Sequence, residues 1–303
     1  MITPMNETIK QLALIGPTAS GKTSLSIEIA QKKNAYILSL DSLALYKEID
    51  IVSAKPTPQE RSGIVHFGID HLYPNEHFDV TTFITLYQEI YQKAVEDGKN
   101  LVIVGGTSFY LKMLMEGISN LPAISKATKE KTAHILKDLH QAYRFLYALD
   151  PDTMQRISRS DRYRIEKALT LYLETGMVPS EYFRANPPVS LIKGPLRVYQ
   201  IDIEREELRK RILLRTRRML KEHLIDEICM LEKKYTRSPN CMKAIGIKET
   251  LDYLDGIYSK EMLEEKITTH TARLAKRQTT FNNSQFKGVI KGSVEALKTM
   301  LLA

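Results

Sequence analysis

The chain reads as an α/β protein: a P-loop core whose parallel sheet is covered by helices, plus a helical insertion. Three observations carry that reading. A phosphate-loop motif sits between an apolar run and a helical pattern, apolar strands alternate with amphipathic helices through the first part of the chain, and after Leu121-Pro122 the pattern turns to helices without strands.

The motif is Gly16-Pro17-Thr18-Ala19-Ser20-Gly21-Lys22-Thr23, which meets G-x-x-x-x-G-K-[ST] in full. It follows the apolar run 12–15 and opens the helical pattern 24–32. Backbone N–H groups and the positive end of a helix dipole then point at one anionic group, Lys22 adds a mobile charge, and the Thr23 hydroxyl is placed to hold Mg²⁺. A di- or triphosphate is implied; whether it is donor, leaving group or energy source is left open.

Residues 35–40 read as a second strand ending at Asp41, 81–96 as an amphipathic helix closed by Asp97-Gly98, and 101–104 as a short apolar strand. Such alternation predicts a parallel sheet buried on both faces, with ligands beyond the carboxyl ends of its strands. Asp41 and Thr107 therefore fall on the rim that carries the phosphate loop. Asp41-Ser42 offers a general base or a Mg²⁺ ligand there, with helix capping as the plain alternative. Gly105-Gly106-Thr107 stands where a nucleotide-hydrolysing P-loop enzyme commonly has an acidic metal ligand. A hydroxyl donates to an oxygen but does not replace that carboxylate, which weakens an ATPase reading. Thr107 also suits the N-cap of a helix from Ser108.

The expected division is a core over 1–120, a helical insertion over 121–195 and a return to the core over 196–303. The insertion holds helical patterns at 127–140, 152–157 and 162–175, and then a linker marked by Pro179, Pro187, Pro188 and Pro195. Residues 196–203 alternate as a strand, 205–235, 247–254 and 260–281 read as helices, and a short strand at 288–290 precedes the last helix.

The net charge of +8 is uneven, with 10 basic and 13 acidic residues in 1–120 against 34 and 23 in 121–303. A basic excess of this kind fits a polyanionic partner, nucleic acid before membrane; solvated lysine-rich helix faces are the plain alternative. Arg209, Lys210, Arg211, Arg215, Arg217 and Arg218 share one predicted helix, and Arg211, Arg215 and Arg218 one face of it. Converging there, they would neutralise a diphosphate or track a nucleic-acid backbone. The stretch Arg273 to Gln278 invites the same pair of readings. His66, His71 and His77 are too irregularly spaced for a metal site, and Cys229 and Cys241 read as two free thiols. No apolar run approaches the ~18 residues of a membrane span and the first residues lack a signal-peptide pattern, so a cytoplasmic protein is expected.

Eight stretches, taken together and in order, resemble the bacterial tRNA dimethylallyltransferases, also called tRNA isopentenyltransferases. They are GPTASGKT (16–23), DSLALYKEIDIVSAKP (41–56), GGTSFY (105–110), LDPDTMQRI (149–157), DRYRIEKAL (161–169), RILLRTRRML (211–220), AIGIKE (244–249) and AKRQTTF (275–281). The resemblance implies transfer of a dimethylallyl group from dimethylallyl diphosphate to N6 of the adenosine 3′ of the tRNA anticodon, with Mg²⁺. A monomer is expected, although the sequence itself carries no signal of oligomeric state. It implies that residues 16–23 and Arg215 hold the diphosphate, Thr23 the Mg²⁺, that Thr107 donates to the bridging oxygen and that Asp41 accepts the N6 proton. It also implies tRNA contacts at Asp41, Ser42, Leu43, Ala44 and Thr107, and at Lys129, Tyr163, Arg164 and Lys167 of the insertion.

The sequence departs from the family pattern at Ala44, Glu48-Ile49, Val52-Ser53, Phe67, Tyr163, Lys167 and Phe281-Asn282-Asn283, which points to a divergent branch. Three alternatives stand beside this reading. A P-loop small-molecule kinase leaves the basic half idle, and an isopentenyltransferase of free adenine nucleotides needs no RNA grip. A non-catalytic RNA-binding protein has no use for Lys22-Thr23 and Asp41.

Overall fold

A computed structural model describes residues 9–303. Six strands, β1 (Gln11–Ile15), β2 (Ala35–Ser39), β3 (His66–Phe67), β4 (Asn100–Gly105), β5 (Leu196–Ile201) and β6 (Ile290–Gly292), form one sheet in the order β3-β2-β4-β1-β5-β6. Every pairing is parallel. Strands covered on both faces need apolar side chains at successive positions, and Ala13, Leu14, Ile15, Leu101, Val102 and Ile103 are all buried. The edge strand β3 has two residues, too few to show any periodicity. β6 starts later than the predicted 288–290 because Gly288 turns the chain with φ +69.

Two compact units result, one made of residues up to Met113 together with Ile192–Ala303, the other of Leu114–Leu191. In the first, α1 (Lys22–Lys33) and α2 (Val80–Glu96) follow β1 and β3, and α3 (Ser108–Glu116), which follows β4, has its last residues beyond the limit at Met113. Asp79 starts α2 by accepting from the N–H groups of Thr81 and Thr82.

The second unit is all helical: α4 (Lys126–Ile135), α5 (Leu139–Leu149), α6 (Pro151–Met154), α7 (Arg162–Thr175) and α8 (Pro179–Ala185). The helix predicted over 127–140 is really two, since Asp138 caps α5 through Gln141 N at 2.9 Å. Pro179 does not mark a linker but opens α8, a position that needs no N–H. Buried Asp150 ties the two short helices together, accepting from Thr153 N at 3.1 Å and Ser180 N at 2.8 Å. Leu136, Ala142, Tyr143, Leu146, Met154, Ile165 and Leu169 give this unit its own core.

Its limits lie outside the expected 121–195 at the start and inside it at the end. Ile118 bridges Val189 in antiparallel fashion and Leu191 N donates to Leu114 O at 2.9 Å, so entry and exit chains meet before Pro122 is reached. Gly117, at φ +86, permits this: a Cβ there would stand 1.9 Å from the Val189 carbonyl oxygen.

After β5 the predicted helix 205–235 breaks into α9 (Arg205–Lys221) and α10 (Leu224–Tyr235) at His223, whose φ is +69. The break turns Leu224, Ile228 and Leu231 into a cluster with Tyr46, Ile49, Val52 and the helices α11 (Ile247–Leu254) and α12 (Lys260–Gln285). The last helix, α13 (Val294–Leu302), lays Leu297 and Leu301 on the sheet beside Leu25 and Ile29 of α1.

Candidate active site

At the end of β1 the phosphate loop folds on itself through a hydrogen bond from Ser20 N to Pro17 O at 3.3 Å. Ala19 at φ +63 and Gly21 at φ +94 give it its curvature, and Gly21 delivers the chain into α1. Lys22 is buried and donates from Nζ to Pro17 O at 2.6 Å. Burial first and the neighbouring Arg215 charge second pull its pKa down to about 7, with Asp41 acting the other way.

A second structural device brings the strand ends together. Gly105 has no side chain because none fits: a Cβ would lie 2.6 Å from Leu40 Cβ and 2.8 Å from its carbonyl carbon. The two chains close up further through Leu40 N to Val104 O at 2.7 Å, which brings Asp41 and Thr107 to the same rim. Asp41 Oδ1 accepts from Leu43 N at 2.8 Å and Ala44 N at 3.1 Å. Its Oδ2 has no hydrogen-bond partner among the described residues, so one oxygen is oriented by the backbone while the other can take a proton.

Arg215, midway along α9, completes the ring. Nη1 donates to Thr18 Oγ1 at 3.2 Å and Nη2 to Ser53 O at 3.4 Å. Burial lowers its pKa and Asp41 opposes that shift. Of the three arginines expected to converge, Arg215 alone borders the cavity. Arg211 pairs through Nε with Glu207 at 2.7 Å while its Nη1 stands beside Gly21 of the phosphate loop, 3.6 Å from where a Cβ there would lie, and Arg218 pairs with Glu222 at 2.8 Å.

Thr18, Ala19, Ser20, Gly21, Lys22, Thr23, Asp41, Ser42, Leu43, Ala44, Thr107 and Arg215 all border one cavity of about 470 Å³. Gly16 and Pro17 stand behind it and shape the loop. Lys129 on α4 and Tyr163, Arg164 and Lys167 on α7 belong to the helical unit. There the Lys167 ammonium lies 5.5 Å from the Tyr163 ring centre, and Arg164 pairs with Asp161 at 2.6 Å.

Two residues of the site escape sequence reasoning. Gln278 of α12 accepts from Thr18 N at 2.9 Å, and a Cβ on Gly106 would lie 2.5 Å from its Nε2, so one amide joins the phosphate loop to the end of β4. Its only signal was membership of the AKRQ stretch. Buried Glu227 of α10 accepts from Asp50 N, Ile51 N and Val52 N at 2.9, 2.7 and 3.0 Å, fixing the loop whose Ser53 carbonyl receives Arg215. Burial raises its pKa against the pull of these three donors. Nothing in the sequence distinguished it from a surface glutamate.

The donors on the rim are oxygens, the Thr23 hydroxyl and the Asp41 carboxylate, and no cluster of three His, Cys, Asp or Glu able to hold a metal occurs among the described residues. That set suits Mg²⁺, which keeps waters and leans on substrate phosphates, and does not suit a metal needing a protein cage. Among the described residues no helix is long and apolar enough to cross a membrane.

A phosphate loop heading a parallel sheet, with a lysine, an arginine and a carboxylate around one cavity, defines a P-loop α/β enzyme. The chain belongs to the IPP transferase family, whose model matches residues 44–285. It is 68% identical to a tRNA dimethylallyltransferase of Sulfurovum sp. (strain NBC37-1), over 98% of this chain and 99% of the relative. It is 55% identical to the protein of that name from Sulfurimonas denitrificans, over 97% and 98%. Among solved structures it is similar to the full-length tRNA isopentenylpyrophosphate transferase of Bacillus halodurans, with a TM-score of 0.71 and 28% identity, covering 97% and 94% of the two chains. A eukaryotic dimethylallyltransferase acting on tRNA superposes with a TM-score of 0.81 at 29% identity, over 90% of this chain and 70% of that one.

Proposed function

We propose that the protein transfers a dimethylallyl group from dimethylallyl diphosphate to N6 of the adenosine 3′ of the tRNA anticodon and releases diphosphate, acting as a cytoplasmic monomer. The observation that carries this reading is the ring of Lys22, Arg215 and Asp41 around one cavity, with threonine at position 107. Adenine N6 is a weak nucleophile, and the allylic carbon turns cationic as its bond to the diphosphate oxygen breaks. Positive groups fixed before the reaction, Lys22 and Arg215, are worth most where the leaving group's negative charge develops. The Thr107 hydroxyl would donate to the bridging oxygen, and Asp41 Oδ2 would accept the proton that N6 loses as the N–C bond forms. Mg²⁺ held by Thr23 would neutralise diphosphate charge. The tRNA contacts implied at Ser42, Leu43, Ala44, Lys129, Tyr163, Arg164 and Lys167 belong to the same proposal. A kinase would use the same loop, yet the named relatives are dimethylallyltransferases.

Purified protein incubated with Mg²⁺, dimethylallyl diphosphate and either unmodified tRNA or AMP, followed by nucleoside mass analysis, tests the reading. A prenylated adenosine in tRNA alone is expected. Prenylated AMP with untouched tRNA would move the assignment to the free-nucleotide enzymes.

A further inference from the structure

The helical unit poses a question of charge. Leu114–Leu191 contains 11 Lys and Arg against 9 Asp and Glu, so little net attraction to a polyanion arises from this segment. What it does carry is a recess on α5 where aromatic and cationic groups meet. Tyr143 and Tyr147, one turn apart, stack with ring centres 5.9 Å apart and planes at 28°. Tyr143 is anchored by its hydroxyl, which donates to Met154 O at 3.0 Å, and leaves Tyr147 43% exposed. The Arg159 guanidinium stands 5.9 Å from the Tyr143 ring centre, and Arg144 and His140 line the same recess. No acidic side chain pairs with Arg144, Arg159 or His140 among the described residues.

We propose that this recess is a stacking site for an unpaired nucleobase of RNA, an inference that rests on the tRNA reading above. A ring already stabilised from behind loses little freedom on binding, and every base offers a π-face to it. Unpaired guanidinium groups beside the ring suit both the base plane and the adjoining phosphate. Single-stranded loops are where RNA exposes such bases, and an anticodon loop is one. The helical unit thus holds RNA by stacking more than by charge.

The test is tRNA affinity at two salt concentrations for wild type, Tyr147→Phe, Tyr147→Ala and Arg159→Ala. Alanine at an exposed helix position keeps the helix, which matched melting curves verify. Tyr147→Phe should bind as wild type, and Tyr147→Ala should bind roughly five- to a hundredfold more weakly with an unchanged salt slope. Arg159→Ala should weaken binding as well. Tyr147→Ala within about twofold of wild type at both salt concentrations would overturn the stacking site. Prenyl transfer by wild type, run alongside, separates the two levels. A wild type that modifies no tRNA removes the functional reading, whereas an active wild type with an indifferent Tyr147→Ala removes only the site on α5.

Discussion

Asp41 and Lys22 make opposite demands on their surroundings, and each gives a prediction. Asparagine at 41 keeps an oxygen for the Leu43 and Ala44 N–H groups but cannot take a proton, so it preserves the local geometry and removes the base role proposed for Asp41. Turnover by Asp41→Asn should fall ~10²- to 10⁴-fold with diphosphate affinity nearly unchanged, measured by single-turnover transfer and by calorimetric binding of diphosphate. Lys22 is a base whose pKa in the fold, about 7, lies below its ordinary value of 10.5, so the folded protein binds fewer protons than the unfolded chain between those two pH values. Stability of the free enzyme should therefore rise with pH through that window, and Lys22→Met should flatten the rise. The same variant should be more stable at neutral pH, seen as a raised melting temperature, while losing diphosphate binding. The motif residues of the site were legible because their chemistry depends on local spacing. Gln278 was not, because its partner Thr18 lies 260 positions away and only the packing of α12 selects it.

Elements meet at this site through small residues and buried caps. At Gly105 an added methyl group would press on Leu40 backbone, which cannot swing aside, so Gly105→Ala should cost about 1–3 kcal/mol and part Asp41 from Thr107. A melting temperature and transfer rate both equal to wild type would refute that account of the strand ends. Glu227→Gln should act at a distance. A carboxamide has one acceptor oxygen where the loop 50–52 presents three donors, so about 1–3 kcal/mol should be lost and diphosphate affinity should drop severalfold as Ser53 and Arg215 loosen. Unfolding curves together with diphosphate titration check both parts. The alternation of apolar strands with helices was readable because burial on both faces of a parallel sheet leaves an unbroken apolar run. The breaks were not: His223 adopts a left-handed conformation that its residue type does not require, and Pro179 begins a helix with the same residue that elsewhere marks a linker.

For the whole molecule the relevant quantities are charge and connectivity. The basic surplus of the second half lies mainly in 192–303, with 23 basic and 15 acidic residues, and only slightly in the helical unit. Replacing residues 115–190 by a short Gly-Ser linker should leave a cooperatively folding core that binds diphosphate, since Leu114 and Leu191 are already joined by a 2.9 Å hydrogen bond. That protein should lose much of its tRNA affinity yet keep most of its salt dependence, which filter binding at several salt concentrations would measure. A flat salt response would contradict the charge distribution as the source of RNA attraction. The closeness of Leu114 to Leu191 also bears on ancestry. A segment that leaves and re-enters a chain at nearly one point imposes no span on its host, so it can lengthen, shrink or be exchanged among lineages without disturbing the phosphate loop. The helical unit and the phosphate-loop core are thereby heritable as separate characters.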